Sequence, residues 1–280
     1  MVAPTLVALS IFIIWPVIQS FVLAFTTWGG FGRWEWSGLD NFRTLLSDSE
    51  VHRAFLNTGI LAVASVSVTV AIAIGLAVLL NQKLRGVGFY RVLYFLPVVT
   101  MPAATAMVWK WLYHGDSGLI NNALAAIGIE GPRWLTNPNT ALIAMIIVVI
   151  WSEIGINVVL MLAGLQGIPS TYYEAASIDG AGPVRLLFTI TLPLLTPTIF
   201  LATIVGIISN LQTFDIVYLM IGQDNPVIKS VQTATYLFYE IGFLYGDRGY
   251  AAAIVLVLFV LIALVTALQF RLQRRWVHYG

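Results

Sequence analysis

Six long apolar runs follow one another along the chain, separated by more polar connections. The runs cover residues 3–27, 57–80, 92–112, 140–164, 194–220 and 250–270. Each is about as long as the ~20 apolar residues that a helix needs to cross a bilayer, and none alternates apolar and polar residues as a half-buried strand does. The pattern therefore predicts an all-α, polytopic membrane protein, with six transmembrane helices forming a single domain over residues 1–280.

The first run has a second interpretation, because a cleaved signal peptide also lies at the N-terminus. A signal peptide has a basic segment followed by an apolar stretch of about 7–15 residues. Residues 1–14 contain no Lys or Arg, and the apolar run is longer than that. We therefore expect a retained span, and its missing cytoplasmic flank leads us to expect that the natural chain starts earlier.

Composition agrees with a lipid environment. Hydrophobic residues make up 59% of the 280 residues and charged residues 10%, with a mean hydropathy of +0.88. A soluble domain carries about 25% charged residues. The net charge of +1 gives no electrostatic case for nucleic acid. Cysteine is absent and the three histidines, His52, His114 and His278, are far apart in sequence, so no metal site is expected.

The short connections orient the chain, since dense Lys and Arg beside a span mark the cytoplasmic side. Residues 81–91 hold Lys83, Arg85 and Arg91, and the tail 271–280 holds three arginines, with no acidic residue in either. Six spans place both segments on one side. We expect both termini and the loop 165–193 to be cytoplasmic, and residues 28–56, 113–139 and 221–249 to face outward.

The cytoplasmic loop is unusually regular. After Pro169, the sequence T-x-x-E from Thr171 to Glu174 fits a capping box at a helix start. Gly180 suits a left-handed helix end, and Gly182-Pro183 suits the start of a second helix. The loop 170–193 is thus predicted to be a helix, a sharp turn and a second helix, with Pro193 and Pro197 marking the passage back into the bilayer.

Two roles fit such a unit: docking into a groove on another protein, and lying on lipid headgroups. A helix on headgroups uses Lys or Arg on its polar face. Residues 170–182 contain neither, and they carry Glu174 and Asp179 instead. Acidic residues are disfavoured at an anionic leaflet, so we favour docking.

The loop resembles the EAA loop of ATP-binding-cassette importer permeases. The matching positions at fixed spacing are Glu174-Ala175-Ala176, Gly180 and Ile190-Thr191-Leu192-Pro193. The run Asp179-Gly180-Ala181 and the Thr-Leu-Pro ending are similar to the carbohydrate-importing, maltose-type branch. Passages in spans one, three, four and five also resemble this family. One departure is GQDNP at 222–226, where the family often has Gly-Gly-Pro.

The resemblance implies a set of partners and a location. The loop docks in a cleft of a cytoplasmic ATPase subunit, which gives coupling roles to Glu174, Ala175, Ala176, Asp179 and Gly180. It implies two such ATPase subunits, a second homologous permease, an extracytoplasmic sugar-binding protein, a sugar and membrane lipid, in a bacterial or archaeal inner membrane. ATP and Mg²⁺ bind the ATPase subunits, and this chain binds no cofactor.

Polar residues inside the spans are candidates for the substrate pathway, because such groups are costly in a membrane. Two are carboxylates, Glu153 and Asp215. Five others offer the amide and aromatic groups that suit a sugar: Trp151, Asn157, Asn210, Gln212 and Phe214. The alternative for each is a hydrogen bond between helices. Lys110, near a span end, is expected to extend to the interface.

Motifs of enzymes are missing. The chain has no G-x-x-x-x-G-K-[ST], G-x-S-x-G, H-E-x-x-H or G-x-G-x-x-G, so we expect a transport subunit and not an enzyme. Alternatives are a secondary transporter that uses Glu153 or Asp215 as an ion site, a channel, and a permease of the same family for glycerol phosphate or another anion. No basic residue lies at mid-span, which favours a neutral sugar.

Overall fold

The computed structural model describes residues 3–28, 34–82 and 87–277, apart from the side chains of residues 87, 90, 91, 275 and 276. Lys83, Arg85 and His278 lie outside the described residues. Most of the described chain is helical, as the apolar runs predicted. The helices are α1 Ala3–Leu23, α2 Asp40–Ser47, α3 Ser49–Leu80, α4 Val87–Val99, α5 Pro102–Leu112, α6 Leu119–Ala126, α7 Pro138–Gln166, α8 Ser170–Ile178, α9 Pro183–Leu211, α10 Ile228–Val231, α11 Ala234–Tyr239 and α12 Arg248–Trp276.

Five helices in the described part of the chain are long and apolar enough to span a membrane, namely α1, α3, α7, α9 and α12. Two further helices, α4 and α5, are long and apolar enough only when taken together, and they are bent by 108° relative to each other. Counting this pair as one span gives six, the predicted number. The order of elements is therefore that of a polytopic helical membrane protein.

The third predicted span, 92–112, is broken because of Pro102. A proline disfavours helical backbone at the preceding residue. Met101 accordingly has φ −61° and ψ 138°, an extended conformation. The helix α5 begins at Pro102, a position where the backbone N–H that proline lacks would have no partner within the helix. Two half-helices thus replace the continuous helix that the apolar run suggested.

The fifth predicted span, 194–220, is displaced toward the N-terminus. The helix α9 begins at Pro183, within the predicted loop, and ends at Leu211. A π-helical turn at Leu187–Thr191 precedes Pro193, and it lets the helix continue past a residue that cannot donate a hydrogen bond. A separate π-helical turn, Val217–Ile221, follows the break.

The core of the bundle is the packing of α3, α7 and α9. Small residues allow these helices to approach closely, as in other membrane bundles. A Cβ at Gly164 of α7 would clash with Thr198 Oγ1 of α9, and a Cβ at Gly206 of α9 would lie 3.0 Å from Val66 Cγ2 of α3. The buried apolar side chains around these contacts are Val66, Val70, Ala73, Ala77, Leu80, Val158, Met161, Leu162, Leu165, Leu195 and Ala202.

A two-stranded antiparallel ribbon follows α1 and was not predicted. Its strands are β1 Thr26–Trp28 and β2 Trp34–Trp36. Asn41 Nδ2 donates to the carbonyls of Ala24 and Thr26, each at 2.9 Å, and so fixes the chain where it leaves the span. The first span therefore ends at Leu23, whereas the apolar run extended to residue 27.

Candidate functional site

The two helix breaks meet at a cavity of about 310 Å³, which we call the carboxylate cavity. One wall comes from the break between α4 and α5, another from α7, and a third from the segment after α9. Its lining residues are Pro97, Val98, Thr100, Pro102, Thr105, Val149, Ser152, Glu153, Ile156, Thr213, Asp215 and Ile216. Irregular backbone at membrane depth is tolerated where it is buried in protein or lines a cavity, and transporters place substrate sites at such interrupted helices.

Glu153 of α7 is held in this cavity by Asn210 of α9. Asn210 Nδ2 donates to both carboxylate oxygens, at 3.0 and 3.1 Å, and to the Gly206 carbonyl at 2.9 Å. Asn210 is 1% exposed, and its Oδ1 has no hydrogen-bond partner among the described residues. The amide therefore joins two spans through its nitrogen alone and fixes the direction of the carboxylate.

The break after α9 is stabilised by hydroxyl groups from a later segment. Thr233 Oγ1 and Thr235 Oγ1 both donate to the Thr213 carbonyl, at 2.9 and 2.6 Å. Because that carbonyl is occupied, the next helical turn starts one residue later, with Tyr218 N–H donating to the Phe214 carbonyl at 3.0 Å. Asp215 lies in this restarted turn and lines the carboxylate cavity.

The five predicted pathway residues are not among those that line the carboxylate cavity, whereas both intramembrane carboxylates are. Asn210 and Asn157 both bond to Glu153, but Asn157 Nδ2 donates only to its backbone carbonyl, at 2.9 Å, within α7. Gln212 is exposed and donates to the Ile208 carbonyl. Trp151, which directly precedes Ser152, does not line the cavity and packs edge-on against Trp109, with ring centroids 5.7 Å apart.

Phe214 belongs to an aromatic cluster beside the second break. Its ring centroid lies 5.2 Å from those of Tyr218 and Tyr239, and 6.3 Å from that of Tyr236. Tyr236 is fully buried, and this burial raises the pKa of its hydroxyl to about 12. The cluster packs the segment after the break against α11.

Sequence reasoning missed the hydroxyl groups of the carboxylate cavity, namely Thr100, Thr105, Ser152 and Thr213. Hydroxyl residues are common in apolar runs and carry no signal by themselves. The pair Pro97 and Pro102 did carry one, because two prolines close together in one run favour an interrupted helix. No group of three or more His, Cys, Asp or Glu that could hold a metal occurs among the described residues.

The predicted helical loop is present as an elbow, formed by α8, a turn and the first turns of α9. Gly180 has φ +72°, its N–H donates to the Ser177 carbonyl, and the Ala181 N–H donates to the Ala176 carbonyl. These two bonds are the Schellman pattern of a helix end, as the glycine predicted. Gly182 precedes Pro183, the first residue of α9, also as predicted.

The predicted capping box at the start of the elbow is wrong. The helix α8 begins one residue earlier, at Ser170, with Pro169 at the N-cap, and no side chain caps it. Thr171 lies inside the first turn. The extended backbone at Pro169, with ψ 135°, sets the start of the helix in place of a hydroxyl group.

The surface of the elbow is exposed, including Glu174 and Asp179. Four large apolar side chains are also exposed on it: Tyr172, Ile178, Val184 and Phe188, at 47%, 86%, 69% and 63%. Clustered exposed apolar groups with polar neighbours mark an interaction surface. Inside the elbow, the Tyr173 hydroxyl and Thr191 Oγ1 lie 3.2 Å apart and join α8 to α9.

Residues 87–278, which include the elbow and the carboxylate cavity, match the model of one protein family, described as binding-protein-dependent transport system inner membrane component. This chain belongs to that family of permeases. The match extends over more than half of the chain. It also agrees with the resemblance of the EAA loop.

Curated relatives cover almost the whole permease. The probable ABC transporter permease protein YesP of Bacillus subtilis is 35% identical, over 99% of this chain and 90% of its own. The lactose transport system permease protein LacF of Rhizobium radiobacter is 35% identical, over 98% and 92%. The sn-glycerol-3-phosphate transport system permease protein UgpA of Agrobacterium fabrum is 34% identical, over 100% and 95%.

Solved structures share the fold. A chain from a bacterial ABC transporter that imports the acidic polysaccharide alginate has a TM-score of 0.86 at 25% identity, over 97% of this permease and 93% of that chain. A second alginate transporter structure, in complex with a pentasaccharide-bound periplasmic protein, has a TM-score of 0.88 at 24% identity, over 100% and 94%. The helical arrangement is therefore that of an importer permease.

The family decides several of the open alternatives. The chain is a multi-pass inner membrane permease subunit of an ATP-binding-cassette importer and not an ion-coupled carrier, a channel or an enzyme. Such a permease works with ATPase subunits and with a substrate-binding protein.

Proposed function

We propose that this permease carries a neutral sugar inward, through the carboxylate cavity. The observation that carries this proposal is the meeting of two broken spans around Glu153 and Asp215. Carboxylate and hydroxyl oxygens accept and donate hydrogen bonds to sugar hydroxyl groups. Among the described residues that line the cavity there is no Lys or Arg, and two carboxylates there disfavour an anionic substrate by like-charge repulsion.

Pathway residues are proposed on the same basis. Asn210 positions Glu153, while Gln212 and Phe214 flank the break from which Thr213 and Asp215 enter the cavity. Trp151 and Asn157 lie on α7, beside Ser152 and Glu153, and line the path where a second permease subunit closes it. We propose a heterodimer or homodimer of permeases, because the exposed sides of the spans need a partner or lipid.

Coupling is proposed to occur through the elbow. ATP binding draws two cytoplasmic ATPase subunits together, and each grips an elbow by its exposed apolar side chains and by Glu174. Ala175 and Ala176 keep that helix narrow, and Asp179 and Gly180 end it. The closure then rotates α9 and changes access to the carboxylate cavity from inward to outward. In this proposal ATP and Mg²⁺ are bound by the ATPase subunits, and both termini of the permease are cytoplasmic.

A second candidate substrate is a glycerol phosphate, because UgpA, at 34% identity, is an sn-glycerol-3-phosphate permease. Uptake by the complete importer in liposomes separates the two candidates. We expect ATP-dependent uptake of a neutral sugar, with lactose as the first radiolabelled probe, followed by other neutral di- and monosaccharides. Uptake of sn-glycerol-3-phosphate and of no neutral sugar would support the second candidate and overturn the first.

A further inference from the structure

A second cavity, of about 300 Å³, lies at the far end of α5 from the carboxylate cavity, and we call it the basic cavity. It opens between the connection 113–136 and the segment 220–225. Its lining residues are Lys110, Tyr113, His114, Gly115, Asp116, Arg133, Leu135, Thr136, Met220, Ile221 and Asn225. The proposed orientation of the chain puts this cavity on the outward face.

The cations of the basic cavity are exposed and unpaired. Lys110 and Arg133 both line it, and neither forms an ion pair with a carboxylate among the described residues. Asp116 lines the same cavity, so the two cations and this one carboxylate leave a net charge of one positive unit. His114 adds a third basic group, whose Nδ1 lies 2.9 Å from Ser117 Oγ. An exposed excess of positive charge favours a partner that presents carboxylates.

The frame of the basic cavity is built as a fixed unit. Asn121 Nδ2 donates to the Gly115 and Pro132 carbonyls, at 2.8 and 3.1 Å, and Trp134 Nε1 donates to Asn121 Oδ1 at 2.7 Å. Asn225 Nδ2 donates to the Leu135 carbonyl at 2.9 Å and so joins the two walls. A preformed frame lowers the entropy cost of docking.

We infer that the basic cavity receives acidic side chains of the extracytoplasmic binding protein on which this family of permeases depends. The inference rests on the proposed function, which supplies the outward orientation. Two observations favour a protein carboxylate over a transported anion. The charged groups lie at the exposed rim, and the carboxylate cavity farther along α5 repels anions.

The test measures the affinity of the binding protein for the complete importer in nanodiscs. The probe is the cognate binding protein, defined as the one that stimulates ATP hydrolysis by the wild-type complex. We expect the double variant Lys110→Glu, Arg133→Glu to weaken association about tenfold or more at 50 mM NaCl, and much less at 500 mM, since salt screens exposed charges. Asp116→Asn removes a negative charge from the cavity and is therefore expected to tighten association.

Arg53→Glu is the control matched in charge to each single variant, Lys110→Glu and Arg133→Glu, because Arg53 is an exposed cation at the outward end of α3 and does not line the basic cavity. Co-purification of the ATPase subunits shows that each variant is assembled. Variants of the binding protein in which the contacting acidic residues are replaced by lysine should restore its affinity for the double variant. Equal weakening by Arg53→Glu, or unchanged affinity in the double variant, overturns the inference. A wild-type complex that no binding protein stimulates overturns the proposed function instead.

Discussion

At the scale of single residues, the bond between Asn210 and Glu153 is the contact that joins two spans at the carboxylate cavity. Hydrogen bonds to a charged group contribute roughly 1.5–3 kcal/mol. We expect Asn210→Ala to lower ATP-dependent uptake by the reconstituted importer about tenfold or more, because Glu153 loses its fixed direction. Association with the ATPase subunits should not change, since Asn210 lies at the far end of α9 from the elbow.

Asn157→Ala is the comparison variant for this prediction, because Asn157 is also proposed to line the path but its side chain does not hold the carboxylate of Glu153. Asn157 has the same side chain, one turn from Glu153, but it donates only to a backbone carbonyl of its own helix. Its loss should lower uptake by less than about fivefold, since a bond between neutral groups contributes roughly 1 kcal/mol or less. Equal losses in the two variants would show that direct contact with substrate, and not the bracing of Glu153, is what both asparagines share.

Gly180 is a second single residue on which the coupling proposal depends, through its backbone conformation. Its φ of +72° is unfavourable for any residue with a Cβ, by about 1–2 kcal/mol, although a Cβ would meet no atom within 4 Å. We expect Gly180→Ala to alter the elbow and to lower the number of sugars carried per ATP hydrolysed. The measurement is the ratio of uptake to phosphate release in proteoliposomes.

Gly182→Ala tests whether strain is the cause. A Cβ at Gly182 also meets nothing within 4 Å, but its φ is −73°, which alanine adopts freely. This variant should couple like the wild type. A Gly180→Ala permease with unchanged uptake per ATP would remove the elbow turn from the coupling proposal.

At the scale of helices, close packing of α4 on α7 depends on Gly155. A Cβ there would clash with the Tyr94 carbonyl and approach Val98 Cγ2 to 2.8 Å. We expect Gly155→Ala to force the helices apart at a cost of roughly 1–3 kcal/mol, seen as a lower melting temperature of the detergent-solubilised protein. Gly75→Ala in α3 is the control, because a Cβ there meets nothing and alanine favours helix. If Gly155→Ala melts like Gly75→Ala, the helices do not pack as described.

The sequence predicted those elements that depend on local chemistry. The apolar runs indicated six spans, and Gly180 and Pro183 placed the turn of the elbow, because hydrophobic length and backbone preference act within a few residues. The break after α9 was not predicted, since the hydroxyls of Thr233 and Thr235 that occupy the Thr213 carbonyl come from about 20 residues farther along the chain. An apolar run contains no information about such a distant donor.

The candidate site was likewise predicted only in part from the sequence. Glu153 and Asp215 stood out because carboxylates are rare in spans, and both line the carboxylate cavity. The bond from Asn210 to Glu153 joins residues 57 positions apart, so only the packing of α9 on α7 reveals it. Whether an asparagine braces a helix or faces a path depends on that packing and not on its neighbours in sequence.

At the scale of the whole molecule, one helix connects the elbow to the carboxylate cavity. The 29 residues of α9 extend about 43 Å from Pro183, in the elbow, to Leu211, beside Asn210. The hydrogen bond between the Tyr173 hydroxyl and Thr191 Oγ1 joins α8 to the first turns of α9. In the proposed coupling, a rotation of the elbow would therefore move α9 as a rigid body, including Asn210, which holds Glu153.

That route requires the elbow to be cytoplasmic, and the absence of native cysteine allows a direct test of orientation. Ser177, in the elbow, and Ser117, in the connection that forms the basic cavity, are both exposed, so each can be replaced by a single cysteine. With a membrane-impermeant maleimide, we expect Ser117→Cys to be labelled in intact cells and Ser177→Cys only after the membrane is opened. Purified ATPase subunits should then protect Ser177→Cys and not Ser117→Cys. The reverse pattern of labelling would place the elbow outside, where no ATPase could reach it, and both the coupling proposal and the docking role of the basic cavity would fail together.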